Sequence, residues 1–204
     1  MKDKKLNQLV KVSLLSVIAC VLMFLELSLP IFPSFLKVDI SDLPALMGTF
    51  ALGPVSGIMI ELFKNILHGI FAGQTAFIGE LANFGVGASL VLIAGLVYNV
   101  KKSRKTAVIG LVFGTIVMAL VAAVLNYFVL LPLYQNAFNF PISQIIAVAG
   151  KINGNVNSVG TLIAWTIIPF NLFKGAIVTV LTLVIYKSVS PILKKENNNE
   201  KQVA

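Results

Sequence analysis

Charged side chains are scarce in this sequence: 16 Lys or Arg and 8 Asp or Glu among 204 residues, or 12%. A soluble domain of this size carries more charge, and needs less apolar surface than 57% hydrophobic residues and a mean hydropathy of +0.92 provide. Cysteine occurs once, as Cys20 in an apolar run, which excludes an internal disulfide. Histidine occurs once, as His68, with no second His or Cys nearby to complete a metal site. Gly-rich phosphate loops, nucleophile elbows and Cys-x-x-Cys motifs are all missing. Such a chain does not hydrolyse ATP by a P-loop of its own, so pumping by it would need partner subunits. No internal period marks the inverted repeats of a self-sufficient secondary transporter.

What is present is long apolar sequence without the alternation of barrel strands, which indicates an all-α integral membrane protein in a lipid bilayer. The net charge of +8 suggests nucleic acid at first sight, but its placement argues against that partner. Twelve of the sixteen basic residues fall in three clusters: Lys2, Lys4, Lys5 and Lys11; Lys101, Lys102, Arg104 and Lys105; Lys187, Lys194, Lys195 and Lys201. Such clusters mark cytoplasmic ends of membrane helices. The first apolar run continues without a small-residue cleavage site and reads as a retained helix.

Six transmembrane helices satisfy the charge rule, with both termini cytoplasmic. The first spans residues 6–29, closed by Pro30 and Pro33. Its small residues Ser13, Ser16, Ala19 and Cys20 permit close helix approach, either inside the protein or in docking to a partner subunit. Residues 31–44 form a loop too apolar to float in water, expected to fold back as a lid, with Ser41 and Asp42 capping the next helix ahead of Pro44. The block 42–71 is best broken at Gly53-Pro54 into a short second helix, 42–52, and a third, 54–71. Left unbroken, it would put the 101–105 cluster on the wrong side. The fourth helix is expected over 75–100 and the fifth over 106–131. An almost uncharged outer loop, 132–157, follows, with a stretch at 142–149 suited to the interface and a turn at Asn153-Gly154-Asn155. The sixth helix is expected over 158–188. A single membrane domain thus covers 1–193, followed by a disordered cytoplasmic tail, 194–204.

The polar residues buried in these runs carry the chemistry. Ile168-Pro169-Phe170-Asn171-Leu172-Phe173-Lys174-Gly175 places an amide and an ammonium one helical turn apart, and Pro169 leaves the carbonyl of Trp165 without its usual donor. A mid-membrane lysine costs about 2.5–3.5 kcal/mol, so it needs a use. With the six-helix topology, Asp39, Glu80, Asn83, Asn126, Asn171 and Lys174 all lie in the outer half of the membrane, a pattern that suggests one polar cup open to the outside. Asparagine amides can pair with a ring bearing alternating N–H and C=O groups, Lys174 can meet a carbonyl oxygen and Asp39 can accept from hydroxyls. Asp39 also reads as an exposed loop charge and Glu80 as an interfacial one. Glu61 and Lys64, three residues apart, read as an internal ion pair, and His68 as a hydrogen-bonded boundary residue.

The segments 35–46 (Phe35-Leu36-Lys37-Val38-Asp39-Ile40-Ser41-Asp42-Leu43-Pro44-Ala45-Leu46), Gly53-Pro54, Glu61-Leu62-Phe63-Lys64-Asn65, Gly79-Glu80-Leu81-Ala82-Asn83-Phe84, Asn126-Tyr127-Phe128 and the Pro169 segment together resemble the riboflavin-specific S components of energy-coupling factor (ECF) vitamin importers. The resemblance covers nearly the whole chain. It implies a six-helix S-component bundle in the cell membrane that takes riboflavin as transported ligand, with no cofactor. It also implies partners: a transmembrane T component and two ABC-type ATPase subunits. By the resemblance, Asn126, Asn171 and Lys174 bind the isoalloxazine edge and Asp39 contacts the ligand. The family docks through Ala-x-x-x-Ala on its first helix; here Ser13-x-x-x-Val17 and Ser16-x-x-x-Cys20 occupy that region, so the strict motif is absent. The alternatives are an S component for another vitamin or for flavin mononucleotide, with Lys37 and Lys151 as the outside cations, and, more remotely, a membrane-embedded enzyme using Glu61, Lys64 and His68.

Overall fold

The computed structural model describes residues 2–73, 77–139 and 141–202, with side chains described over 5–73, 77–139 and 141–186. The expected helix start at 75, Phe140 in the outer loop and the side chains of the expected disordered tail lie outside the described residues.

The first helix, α1 (Lys2–Met23), ends six residues earlier than expected. Leu27–Ser28 (β1) instead pairs antiparallel with Lys37–Val38 (β2), so the chain leaves the helix as a two-rung hairpin whose turn holds Pro30 and Pro33. The hairpin folds back as the composition requires. The ring of Phe32 lies 5.2 Å from Phe170 and 6.0 Å from Phe173, and Leu36 packs into the apolar cluster of Ala122, Ile163 and Ile167.

The break at Gly53-Pro54 is where the charge rule requires it. α2 (Asp42–Leu52) stops at Gly53, whose φ of 105° and ψ of 164° belong to a region open to glycine almost alone. α3 (Pro54–Ala72) restarts at once, with Pro54 where a missing N–H is harmless. With 11 residues, α2 is about 17 Å long at 1.5 Å per residue and is buried along most of its length. α4 (Ile78–Val100) and α5 (Arg104–Leu125) are joined by a short basic turn, and Ser103 and Thr106 close a reciprocal cap at the start of α5.

The fifth helix does not stop before Pro132. It widens into a π-helical turn at Asn126–Leu130 and runs on as α6 (Leu131–Phe138). α7 (Ile142–Ile152) then turns an expected loop into an amphipathic helix, and the turn at Asn153 follows, with its side chain accepting from the N–H of Asn155. The last span repeats the device: α8 (Val159–Leu162), a π turn at Ile163–Ile167, then α9 (Ile168–Gln202). In both cases a proline stands two residues past the π turn, at Pro132 and Pro169. A proline supplies no N–H to the turn before it, and widening that turn keeps the helix continuous.

Among the described residues, five helical stretches are long and apolar enough to cross a membrane: Lys5–Met23, Pro54–Ala72, Ile78–Val100, Arg104–Phe138 and Val159–Tyr186. Contacts tie their ends together. Gln8 donates to Ser56 across 2.8 Å, and Phe50, Tyr98 and Tyr186 stack with centroids 4.8–6.5 Å apart, so the chain start, the α2–α3 break, the basic turn and the far part of α9 share one end. Phe24 meets His68 at 5.3 Å at the opposite end, where the hairpin lies.

Gly53→Ala should lower the unfolding midpoint of the detergent-solubilised protein by the equivalent of about 1–3 kcal/mol. Equal midpoints for the two proteins would show that the break does not depend on that backbone conformation.

Candidate functional site

The hairpin hands the chain to α2 through Asp39, Ser41 and Asp42, and this link is the floor of the site. Asp39 turns back on itself, with Oδ1 accepting from the Ser41 N–H at 2.8 Å. Its other oxygen accepts from Lys174 Nζ at 2.9 Å, across 135 residues of sequence. Lys174 Nζ also lies 3.3 Å from Asp42 Oδ2. Asp42 Oδ1 accepts from Lys64 Nζ, which further donates to Ser41 Oγ at 2.8 Å and lies 2.8 Å from Glu61 Oε2. Five ionisable side chains from four separate segments thus form one network with almost no exposure.

Asp42 therefore does not cap α2. Ser41 and Asp42 make no side-chain cap bond, because both are engaged by Lys64. Asp42 stands between two ammonium groups in a buried place, where Coulomb attraction is strongest and outweighs the modest gain of a cap. The Glu61–Lys64 pair forms as its spacing predicts. Burial alone pushes the Asp39 carboxyl up. The Lys174 ammonium, helped by Lys64 and the Ser41 hydrogen bond and opposed by Asp42, more than offsets it, so Asp39 titrates below the usual carboxylate range.

Asn171 sits one turn before Lys174 and is buried with it, and its Nδ2 donates to the Ile167 carbonyl at 2.8 Å. Asn126, at the head of the other π turn, repeats this with the Ala122 carbonyl at 2.8 Å. Ala122 and Ile167 belong to one apolar cluster with Ile163, joined by Leu36 from the hairpin and Val86 from α4. The two amides thus flank one apolar wall, each tied to its own helix by N–H and left with an oxygen to offer. Lys174 and Asp39 meet directly, with Asn171 one turn before Lys174 on the same helix; Asn126 stands across that wall.

Glu80 and Asn83 stand apart, in the first turns of α4. Glu80 Oε1 lies 3.0 Å from His68 Nδ1, which makes His68 a hydrogen-bonded residue at the end of α3. Glu80 and Asn65 also line an open, mostly apolar cavity of about 260 Å³ between α3 and α4, with Leu62, Ile66, Phe77 and Phe84 among its walls. Asn83 Oδ1 is buried and has no partner among the described residues. Of the small residues on α1, Ser16, Ala19 and Cys20 are packed inside the chain and Ser13 alone is exposed.

Sequence reasoning passed over Asp42 and Lys64 as parts of this site. The available signal was charge matching: a lysine in an apolar run requires a carboxylate at its own depth, and Asp39-x-x-Asp42 is the acidic pair at the head of a helix. Asp42→Asn should destabilise the protein by about 3–5 kcal/mol, because both buried ammonium groups lose the carboxylate they share. Adding Lys64→Met should recover part of that loss. Thermal unfolding of the single and double variants measures both, and a double variant less stable than Asp42→Asn would rule out the pairing.

Comparison with known proteins follows the same architecture. Residues 7–186 match the family model described as ECF transporter, substrate-specific component. The chain is 39% identical to the riboflavin transporter RibU of Staphylococcus aureus (strain TCH60), over 94% of this chain and 97% of that protein. It is 33% identical to the riboflavin transporter FmnP of Bacillus subtilis (strain 168), over 95% and 97%. A solved chain from the work "Structure and mechanism of the S component of a bacterial ECF transporter" superposes with a TM-score of 0.73 at 37% identity, covering 93% of this chain and 99% of that one. These relatives are transporters, and the enzyme reading of Glu61, Lys64 and His68 falls. The chain belongs to the substrate-specific components of ECF transporters.

Proposed function

We propose that this protein is the riboflavin-binding S component of an ECF importer in the cell membrane. The observation that carries the reading is the buried Lys174 ammonium, one turn from Asn171 and latched to Asp39 of the hairpin loop. The pyrimidine edge of an isoalloxazine alternates C=O, N–H and C=O. The oxygens of Asn126 and Asn171 suit its N–H, the ammonium of Lys174 suits a C=O, and the apolar wall of Ala122, Ile163 and Ile167 suits the ring face. Asp39 is then placed to accept from ribityl hydroxyls while still held by Lys174, with Glu80 and Asn83 at the outer margin of the site. The curated relatives named as riboflavin transporters support the same ligand.

Six helices cross the bilayer in this reading, with the buried α2 as the short one and both termini cytoplasmic. The basic turn at 101–105, at the same end as the chain start, supports that orientation. The membrane domain covers 1–193 and the tail that follows it is cytoplasmic. Riboflavin is captured from outside under the hairpin lid. The subunit then reorients against a T component carrying two ABC ATPases, since the chain has no nucleotide site of its own. Docking uses α1, where exposed Ser13 is flanked by exposed Leu9 and Val17, with Ser16, Ala19 and Cys20 backing that face from within.

Flavin mononucleotide is the weaker ligand in this reading. Lys64 and Lys174 are already bound to carboxylates, Lys37 is paired with Glu26, and Lys151 stands exposed on α7. Flavin fluorescence should be quenched on binding to the purified protein at micromolar concentrations. Asn171→Ala or Lys174→Ala should each weaken binding by about 1–3 kcal/mol. The mononucleotide should compete less well than riboflavin. No quenching by the intact protein would overturn the ligand assignment.

A further inference from the structure

The α3–α4 interface carries polar groups that the flavin site does not use. The two helices run antiparallel in a register fixed at two points. A Cβ on Gly87 would come within 2.3 Å of Glu61 Oε2, so only glycine leaves room for that carboxylate, and Glu80 meets His68 at 3.0 Å. The same register sets Asn65 opposite Asn83, between those two rungs. Along this seam the unpartnered atoms among the described residues are all acceptors: Glu61 Oε1, Asn65 Oδ1 and Asn83 Oδ1 accept no hydrogen bond, and Glu61 Oε2 has the Lys64 ammonium alone. Glu61 is 0% exposed and Asn65 3%. Asn65 has its Nδ2 tied to the Glu61 carbonyl at 2.8 Å, which fixes the side chain in the seam. Lys64 Nζ, 2.8 Å from Glu61 Oε2, shares its three donors among Glu61, Ser41 and Asp42, so it does not reach Glu61 Oε1 or the two amide oxygens.

Charge points the same way. The buried network holds three carboxylates, Asp39, Asp42 and Glu61, against two ammonium groups, Lys64 and Lys174. Among the described residues, the ion pairs of this network bring in no further positive charge. α2 brings only Asp42 to this network and α9 only Lys174. On α4, Glu80 is engaged with His68, and Gly87 stands at the level of Glu61. The buried side chains of α1 from Val12 to Met23 are apolar apart from Ser16 and the Cys20 thiol. An uncompensated buried carboxylate is costly, and buried acceptors without donors add to that cost.

We propose that the α3–α4 seam is a cation site, in which one monovalent cation, a proton or an alkali ion, is held on Glu61 with the oxygens of Asn65 and Asn83 beside it. A proton turns Glu61 into a donor towards its neighbouring amide oxygens. An alkali ion takes the same oxygens as ligands. Either brings the network to neutrality beneath Lys174, and neither depends on which ligand the site above it takes.

Infrared spectroscopy of the full chain in detergent or lipid tests this without any flavin. If the cation is a proton, the protein at neutral pH shows a carboxylic-acid carbonyl band that Glu61→Gln removes and Glu80→Gln leaves. If it is an alkali ion, that band is absent, and the unfolding midpoint rises with sodium or potassium chloride but not with choline chloride at equal ionic strength. Glu61→Gln then abolishes the dependence. Should Glu61→Gln not fold, Asn83→Leu must shift the band or weaken the ion dependence, and no change in either overturns the proposal. Neither band nor ion dependence in the intact protein also overturns it, leaving a carboxylate met by ordered water alone.

Discussion

The Lys174 ammonium and the two aspartates that hold it are the constraint on which the rest of this structure depends. A charge at that depth is tolerated only if it is paired and hydrogen-bonded. Its partners come from the hairpin link and the head of α2, so the pairing draws two segments distant in sequence onto α9. The hairpin is thereby fixed at its inner end by ions and near its tip by the ring of Phe32 on Phe170 and Phe173. A lid held by both kinds of contact can be loosened by a ligand that competes for one of them. Lys174 is the contact that a polar ring edge can share.

The two π turns serve the same site from a different direction. Each precedes a proline that cannot complete the α-helical ladder, and each lies beside an asparagine, Asn126 at the start of one and Asn171 four residues beyond the other. The two wider turns lie beside each other in the bundle. Asn126 and Asn171 then tie their Nδ2 groups to carbonyls one turn earlier, which fixes the amide orientation. The proposed binding surface is thereby preorganised, its backbone irregularities filled by its own side chains.

Much of this was legible in the sequence, for physical reasons that can be named. The break at Gly53-Pro54 was readable because positive-inside bookkeeping and helix chemistry demand it together. The Glu61–Lys64 pair was readable from spacing alone. The end of α1 was not, because Phe24 to Leu29 is as apolar as the helix before it, and only pairing with Lys37–Val38 makes it a strand. The continuation through Pro132 was not, because a proline's local cost reads as a stop unless the π turn upstream is foreseen. The role of Asp42 was not, because cap propensity is a local signal, whereas its two lysines lie 22 and 132 residues away. Of the candidate site, the meeting of Asp39 with Lys174 was legible from their common depth, and the place of Asp42 and Lys64 beside them was not.

The shortness of α2 follows from the same ion network. A full-length helix in that place would carry its first residue to the bundle's end, level with the tip of the hairpin, and Asp42 would face water or headgroups. With only 11 residues, α2 starts well inside the bundle, and its first residue meets Lys64 midway along α3 and Lys174 in the second turn of α9. The space left above it is filled by the folded hairpin, which brings Asp39 down to the same level. One missing stretch of helix thus does two things: it lets carboxylates reach buried lysines, and it leaves the place that the hairpin fills. Lengthening α2 would remove both at once, which is why a helix too short to span a bilayer persists at the centre of a membrane protein.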